Sequence, residues 1–92
     1  MNPARLERDL REFDPEEEAL RVVVREATDM ADAGIFEEDA GYLLGPGVVV
    51  RNLRDAPHEG LVERWNWWVG SLVAAYGEEY ARFEVRRYPG EE

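Results

Sequence analysis

Gly45-Pro46-Gly47-Val48-Val49-Val50-Arg51-Asn52-Leu53 is the stretch on which the fold turns. Two glycines around a proline mark a tight turn. The β-branched run that follows has the composition of a strand. With Tyr42–Leu44 as a short strand upstream, residues 42–53 read as a hairpin-like turn and strand. On that reading the chain contains a sheet, and the other segments arrange themselves around it.

Working outward, Asp55-Ala56-Pro57 starts a helix over 56–76 that stops at Gly77. Leu61, Trp65, Trp68, Val69, Leu72 and Tyr76 share one face of it, as core residues do. Residues 79–88 then alternate. Ala81, Phe83 and Val85 point one way, while Tyr80, Arg82, Glu84, Arg86 and Tyr88 point the other, the pattern of a half-buried strand. Pro89-Gly90 closes it, and 89–92 is a tail. Strand, helix and strand with short connections predict a βαβ-like unit, normally right-handed and parallel.

Upstream, Asn2-Pro3 reads as N-cap and first helical residue of an amphipathic helix over 1–13. Leu6, Leu10 and Phe13 lie on its apolar face, and Arg5–Asp9, Glu7–Arg11 and Arg8–Glu12 are opposite charges four apart. Asp14-Pro15 restarts the chain as a second helix over 14–34, with Asp14 as cap and Glu17 completing a capping box. Its apolar face carries Leu20, Val23, Val24, Ala27, Met30 and Ala31, and Gly34 stops it. Phe36–Leu44 is ambiguous, with one helical turn expected over Glu37–Ala40. The expected class is therefore α+β: two or three N-terminal and central helices packed on a small sheet, whose C-terminal half is strand–helix–strand. A sheet of two or three strands is thin, and it gains by extending across a dimer axis.

Ninety-two residues suit a single small domain over 1–92, and 45% hydrophobic residues suffice for a core. No run reaches the roughly 18 apolar residues of a spanning helix, and the charged opening is unlike a signal peptide. Cysteine is absent, which removes disulfides, thiolate metal sites and cysteine nucleophiles.

Charge is the strongest compositional signal. Twenty-one acids face eleven bases, the net charge is −10, every base is Arg, and Lys and Gln do not occur. Such a surplus of carboxylates repels itself in dilute buffer. At about 1 M salt the screening length falls to about 3 Å and the repulsion fades. The acid-rich, lysine-free composition resembles that of haloarchaeal cytoplasmic proteins along the whole chain, and among them the small acidic uncharacterised families. That resemblance implies a cytoplasmic, halophilic protein and no particular activity. An acidic protein from a GC-rich genome is the other source of such a composition. Nucleic acid and anionic membrane are poor partners for this charge.

The chemical inventory is short: one Ser (Ser71), one Thr (Thr28) and one His (His58). On one helix, Ser71 and His58 stand about 20 Å apart and form no dyad. His58-Glu59 matches the start of a zinc-protease helix, but Val62 stands where the second His is needed. The glycines of 41–47 lead into an expected strand, not into a helix N-terminus able to cradle phosphate. Acid clusters at Glu16–Glu18, Glu37–Asp39 and Glu78-Glu79 read as hydrated surface. No catalytic residue, cofactor or metal site is expected, and the chain reads as a non-enzyme.

Two features stand above this background. On a helical wheel Trp67 lies about 160° from Trp65, beside Gly70, Ser71 and Ala74, a lane open to close approach by another element. Cover by the first helix and an interchain interface are both open at this point. The second feature is a candidate anion patch on the expected sheet, formed by Arg51, Arg82 and Arg86 with Tyr80 and Tyr88. The leading expectation is a self-associating interaction module, with a second copy (a dimer) or another protein as partner. The alternative is a small domain that binds an anionic ligand; an acid–base hydrolase using carboxylates, with no residues singled out, ranks below both.

Overall fold

The computed structural model describes residues 1–86, and among them there is no β-strand. Five α-helices follow one another: α1 (Pro3–Leu10), α2 (Glu17–Ala33), α3 (Ile35–Ala40), α4 (Pro46–Arg54) and α5 (Leu61–Tyr76). Short 3-10 helices occupy Arg11–Phe13 and Glu78–Phe83. The expected α+β class is overturned, and with it the sheet and the βαβ-like C-terminal half.

The correction starts at Gly45-Pro46. Gly45 is the extended N-cap of α4 and Pro46 its first residue, where the missing N–H costs nothing. Val49, Val50 and Leu53 are buried, while Arg51 and Arg54 lie in the last turn, the favourable end of the dipole for cations. Asn52 donates to the Val48 carbonyl at 2.8 Å. Three valines weaken a helix by about 0.5 kcal/mol each. Fully burying a valine or leucine is worth about 1.5–3 kcal/mol. Burial of Val49, Val50 and Leu53 therefore outweighs the β-branched preference, and residues 42–53 form no hairpin.

With no strand to pair against, the C-terminal segment does not extend either. Glu78–Phe83 winds as a 3-10 helix, whose three-residue turn puts Tyr80 and Phe83 on the same inner side. Tyr80, expected to face outward, is fully buried. The part of the expected strand beyond Arg86, the closing Pro89-Gly90 and the tail lie outside the described residues.

The expected ends at Asn2 and Gly34 hold, and those at Asp14 and Ala56 do not. Asn2 caps α1, accepting from the Arg5 N–H at 3.1 Å. Asp14 does not cap α2; it adopts a left-handed conformation (φ 53°), which short polar side chains tolerate. Glu16 holds the N-cap place, and Gly34 (φ 78°) ends α2. The helix expected over 56–76 begins only at Leu61, after a connection containing exposed His58.

The core joins all five helices. Leu6 and Leu10 of α1, Leu20, Val23, Ala27 and Met30 of α2, and Val49 and Leu53 of α4 surround Trp65 and Val69 of α5. Helix α2 packs on α1, α3 and α5, and α4 bridges α1 and α5. Outside, Arg5–Asp9 and Arg11–Glu7 pair along α1. Glu12 turns away from Arg8 and takes a two-pronged contact from Arg54, both bonds at 2.7 Å. Among the described residues no helix is long and apolar enough to cross a membrane.

Candidate functional site

Helix α5 divides Trp65-Asn66-Trp67-Trp68 between its two sides. Trp65 is fully buried, and its Nε1–H donates to the Phe83 carbonyl at 2.8 Å. Trp68 meets Trp65 edge-on at 5.6 Å between centroids and Phe36 at 6.0 Å. Asn66 grips Val85 twice: Nδ2 donates to the Val85 carbonyl and the Val85 N–H donates to Oδ1, each at 2.8 Å. Three of the four residues thus work inward, and Trp65 and Asn66 fasten the chain that returns after Gly77.

Trp67 is the outward one, 38% exposed. Gly70, Ser71, Ala74 and Ala75 are exposed beside it, and Glu63 at the N-terminal end supplies the one carboxylate of that face. From Trp65 to Tyr76 the helix contains no charged residue, although 35% of the chain is charged. Among the described residues, a Cβ placed on Gly70 would meet nothing within 4 Å, so the helix surface is open there. The Ser71 hydroxyl donates to the Trp68 carbonyl at 2.7 Å and presents no free donor. Further exposed apolar surface lies at Tyr42, Leu43 and Tyr76. Tyr42 stands edge-on to Phe36, and Tyr76 lies 5.8 Å from Tyr80.

The residues of the expected anion patch are dispersed. Tyr80 is buried, its hydroxyl donating to Asp39 of α3 at 2.8 Å, and burial together with that carboxylate raises its pKa. Arg51 is exposed on α4, and Tyr88 lies outside the described residues. Arg82 and Arg86 do come together, with Arg25 of α2, around an open concavity of about 310 Å³ that Glu26 and Glu84 also line. Arg82 lies over the Phe83 ring at 4.8 Å and forms no ion pair among the described residues. Glu26 is half-buried there, and loss of solvent raises its pKa despite neighbouring Arg25.

The remaining polar groups are engaged locally. Thr28 donates to the Val24 carbonyl at 2.8 Å. Among the described residues no three His, Asp or Glu side chains are placed to share a metal ion. No buried side-chain nitrogen or oxygen lacks a partner there. Sequence reasoning overlooks Asn66 and Arg64. Arg64 lies over the Phe13 ring at 4.6 Å and donates to the Leu53 carbonyl at 2.8 Å, tying α5 to the end of α4. The overlooked signal for Asn66 is an amide inside an aromatic helical run, where such a residue is unfavourable unless its side chain is used.

Neither the curated proteins nor the solved structures contain a match to this chain. A family model described as the WNWW domain matches residues 1–73, from α1 through most of α5. The match spans more than half of the 92 residues and includes Trp65-Asn66-Trp67-Trp68, the same four letters as the description. The chain belongs to the WNWW domain family.

Proposed function

We propose that this protein is a non-enzymatic helical module of a salt-rich cytoplasm, and that it acts by self-association through the outer face of α5. The observation that carries the reading is Trp67, exposed on a helix face without charge from residue 65 to 76, in a chain of net charge −10. Two such chains repel wherever carboxylates meet, so a contact between copies needs a surface without them and concentrated ions around it. An aromatic anchor beside small residues, as at Trp67 and Gly70, has the make-up of an interface core. Light scattering in about molar KCl, where screening acts within about 3 Å, tests it. A dimer is expected, weakened by Trp67→Ser and by Gly70→Gln. A strict monomer at every micromolar concentration overturns the reading.

A second reading has one observation in its favour, the meeting of Arg25, Arg82 and Arg86 around one concavity. Arginine suits carboxylate and phosphate ligands. Anionic metabolites should then raise the melting temperature of the wild-type chain but not that of an Arg82→Ser, Arg86→Ser variant. A shift that survives both changes removes this option.

A further inference from the structure

The C-terminal segment is anchored through its main chain. Val85 exchanges two 2.8 Å bonds with the Asn66 amide, and the Phe83 carbonyl accepts the Trp65 indole N–H at 2.8 Å. Phe83 and Val85 are buried, while Glu84 between them is extended (φ −67°, ψ 142°) and partly exposed. Main-chain bonds combined with pockets for alternate side chains are the means by which extended peptides are recognised. Nothing in this arrangement requires receptor and segment to belong to one chain. Trp65 and Asn66 lie within the family-matched residues 1–73, whereas the segment they hold lies beyond them. The two parts are joined at Gly77, which takes φ 133°, ψ 171°, a conformation open to glycine and closed to other residues. A Cβ there would meet nothing within 4 Å among the described residues, so the backbone is what opposes a substitution.

We propose that the Trp65–Asn66 clamp also accepts residues 78–86 of a second copy, so that two chains exchange C-terminal arms. The proposal rests on the self-association reading and names a second surface for it. Each hydrogen bond that opens within a chain re-forms identically between chains, so these bonds cancel. The balance is then set by the hinge at Gly77 and by whatever the two bodies gain where they meet. Exchange of an identical element is a low-cost route to a dimer, and hinge substitutions promote it. Concentrated salt favours it further by screening two bodies of charge −10.

Sedimentation of the full chain in molar KCl tests the exchange. Gly77→Ala strains the closed hinge without a clash, and the dimer fraction is expected to rise several-fold. Asn66→Ala should lower the stability of both forms and leave the dimer fraction nearly unchanged, because the same clamp bonds are lost within and between chains. A folded Gly77→Ala chain whose dimer fraction is unchanged or reduced overturns the proposal. If Gly77→Ala does not fold, covalent trapping decides, since the natural chain has no cysteine. An Asn66→Cys chain mixed with a Val85→Cys chain should give more mixed disulfide dimer than Asn66→Cys mixed with Ser71→Cys; equal yields overturn it. A dimer abolished by Trp67→Ser but insensitive to Gly77→Ala leaves the outer-face reading standing and removes arm exchange. The reverse pattern keeps arm exchange and removes the outer-face reading.

Discussion

The Asn66 side-chain amide and the Val85 peptide group form a reciprocal pair, each donating to the other at 2.8 Å across nineteen positions of sequence. A side-chain amide carries a donor and an acceptor on separate atoms and so answers an N–H and a C=O at once. Asn66→Ala should cost about 1–3 kcal/mol, because both Val85 groups are left without a protein partner in a half-buried place. Asn66→Asp should be no better than Ala: its second oxygen would face the Val85 carbonyl with nothing to donate. Urea denaturation in molar salt measures both.

Trp65 and Trp67 should separate cleanly. Trp65→Phe strips the donor from the Phe83 carbonyl inside the core and should cost about 1–3 kcal/mol, with further loss from the smaller ring. Trp67→Phe on the exposed side should stay within about 0.5 kcal/mol. Equal losses from thermal denaturation would contradict the inward and outward assignment.

Gly47 discriminates between the helical and the turn reading of the decisive stretch. It lies in the first turn of α4, and a Cβ there meets nothing within 4 Å. Gly47→Ala should therefore stabilise the chain by up to about 1 kcal/mol. A Gly-Pro-Gly turn that needed the glycine would respond in the opposite sense.

Glu26 gives a pH dependence with a definite sign. Burial raises its folded-state pKa above the ordinary glutamate value. Keeping it ionised therefore opposes folding at neutral pH. Glu26→Gln should be more stable than wild type there. The advantage should shrink as pH falls through the folded pKa and vanish below the unfolded one. Glu12 and Glu17 behave oppositely. Hydrogen bonds from Arg54 and Arg11 respectively lower their pKa values. The stability they contribute is present above the unfolded pKa and is lost as pH falls through the folded one.

Dialysis from about 2 M to about 0.05 M KCl should lower the melting temperature, because repulsion then acts over more than about 10 Å. Each 1 kcal/mol of lost stability corresponds to about 4–8 °C for a domain of this size. A chain equally stable at both concentrations would remove the adaptation to salt inferred from its charge.

Much of the helical frame is legible because its signals are local. Asn2-Pro3 announces α1, Gly34 ends α2 in a left-handed conformation, and Leu61, Trp65, Trp68, Val69 and Leu72 mark the inner face of α5. The outward position of Trp67 follows from the same helical spacing. Residues 46–54 and 78–83 mislead for a shared reason. Valine runs and alternation describe side chains that suit a strand, but a strand also needs a partner, and that is not a local property. Once Val49, Val50 and Leu53 find a core to bury against, α4 is helical and the C-terminal segment has nothing to pair with.

By itself the sequence determined the charge, the absence of cysteine and lysine, and the inner faces of α1, α2 and α5, since these depend on composition and on spacing of a few residues. Only the tertiary structure decided that Asn66 would meet Val85, that Tyr80 would be buried against Asp39, and that Arg82 and Arg86 would gather with Arg25 and not with Arg51. Those pairings join residues far apart along the chain, and their partners are selected by which helix faces compete for the same core.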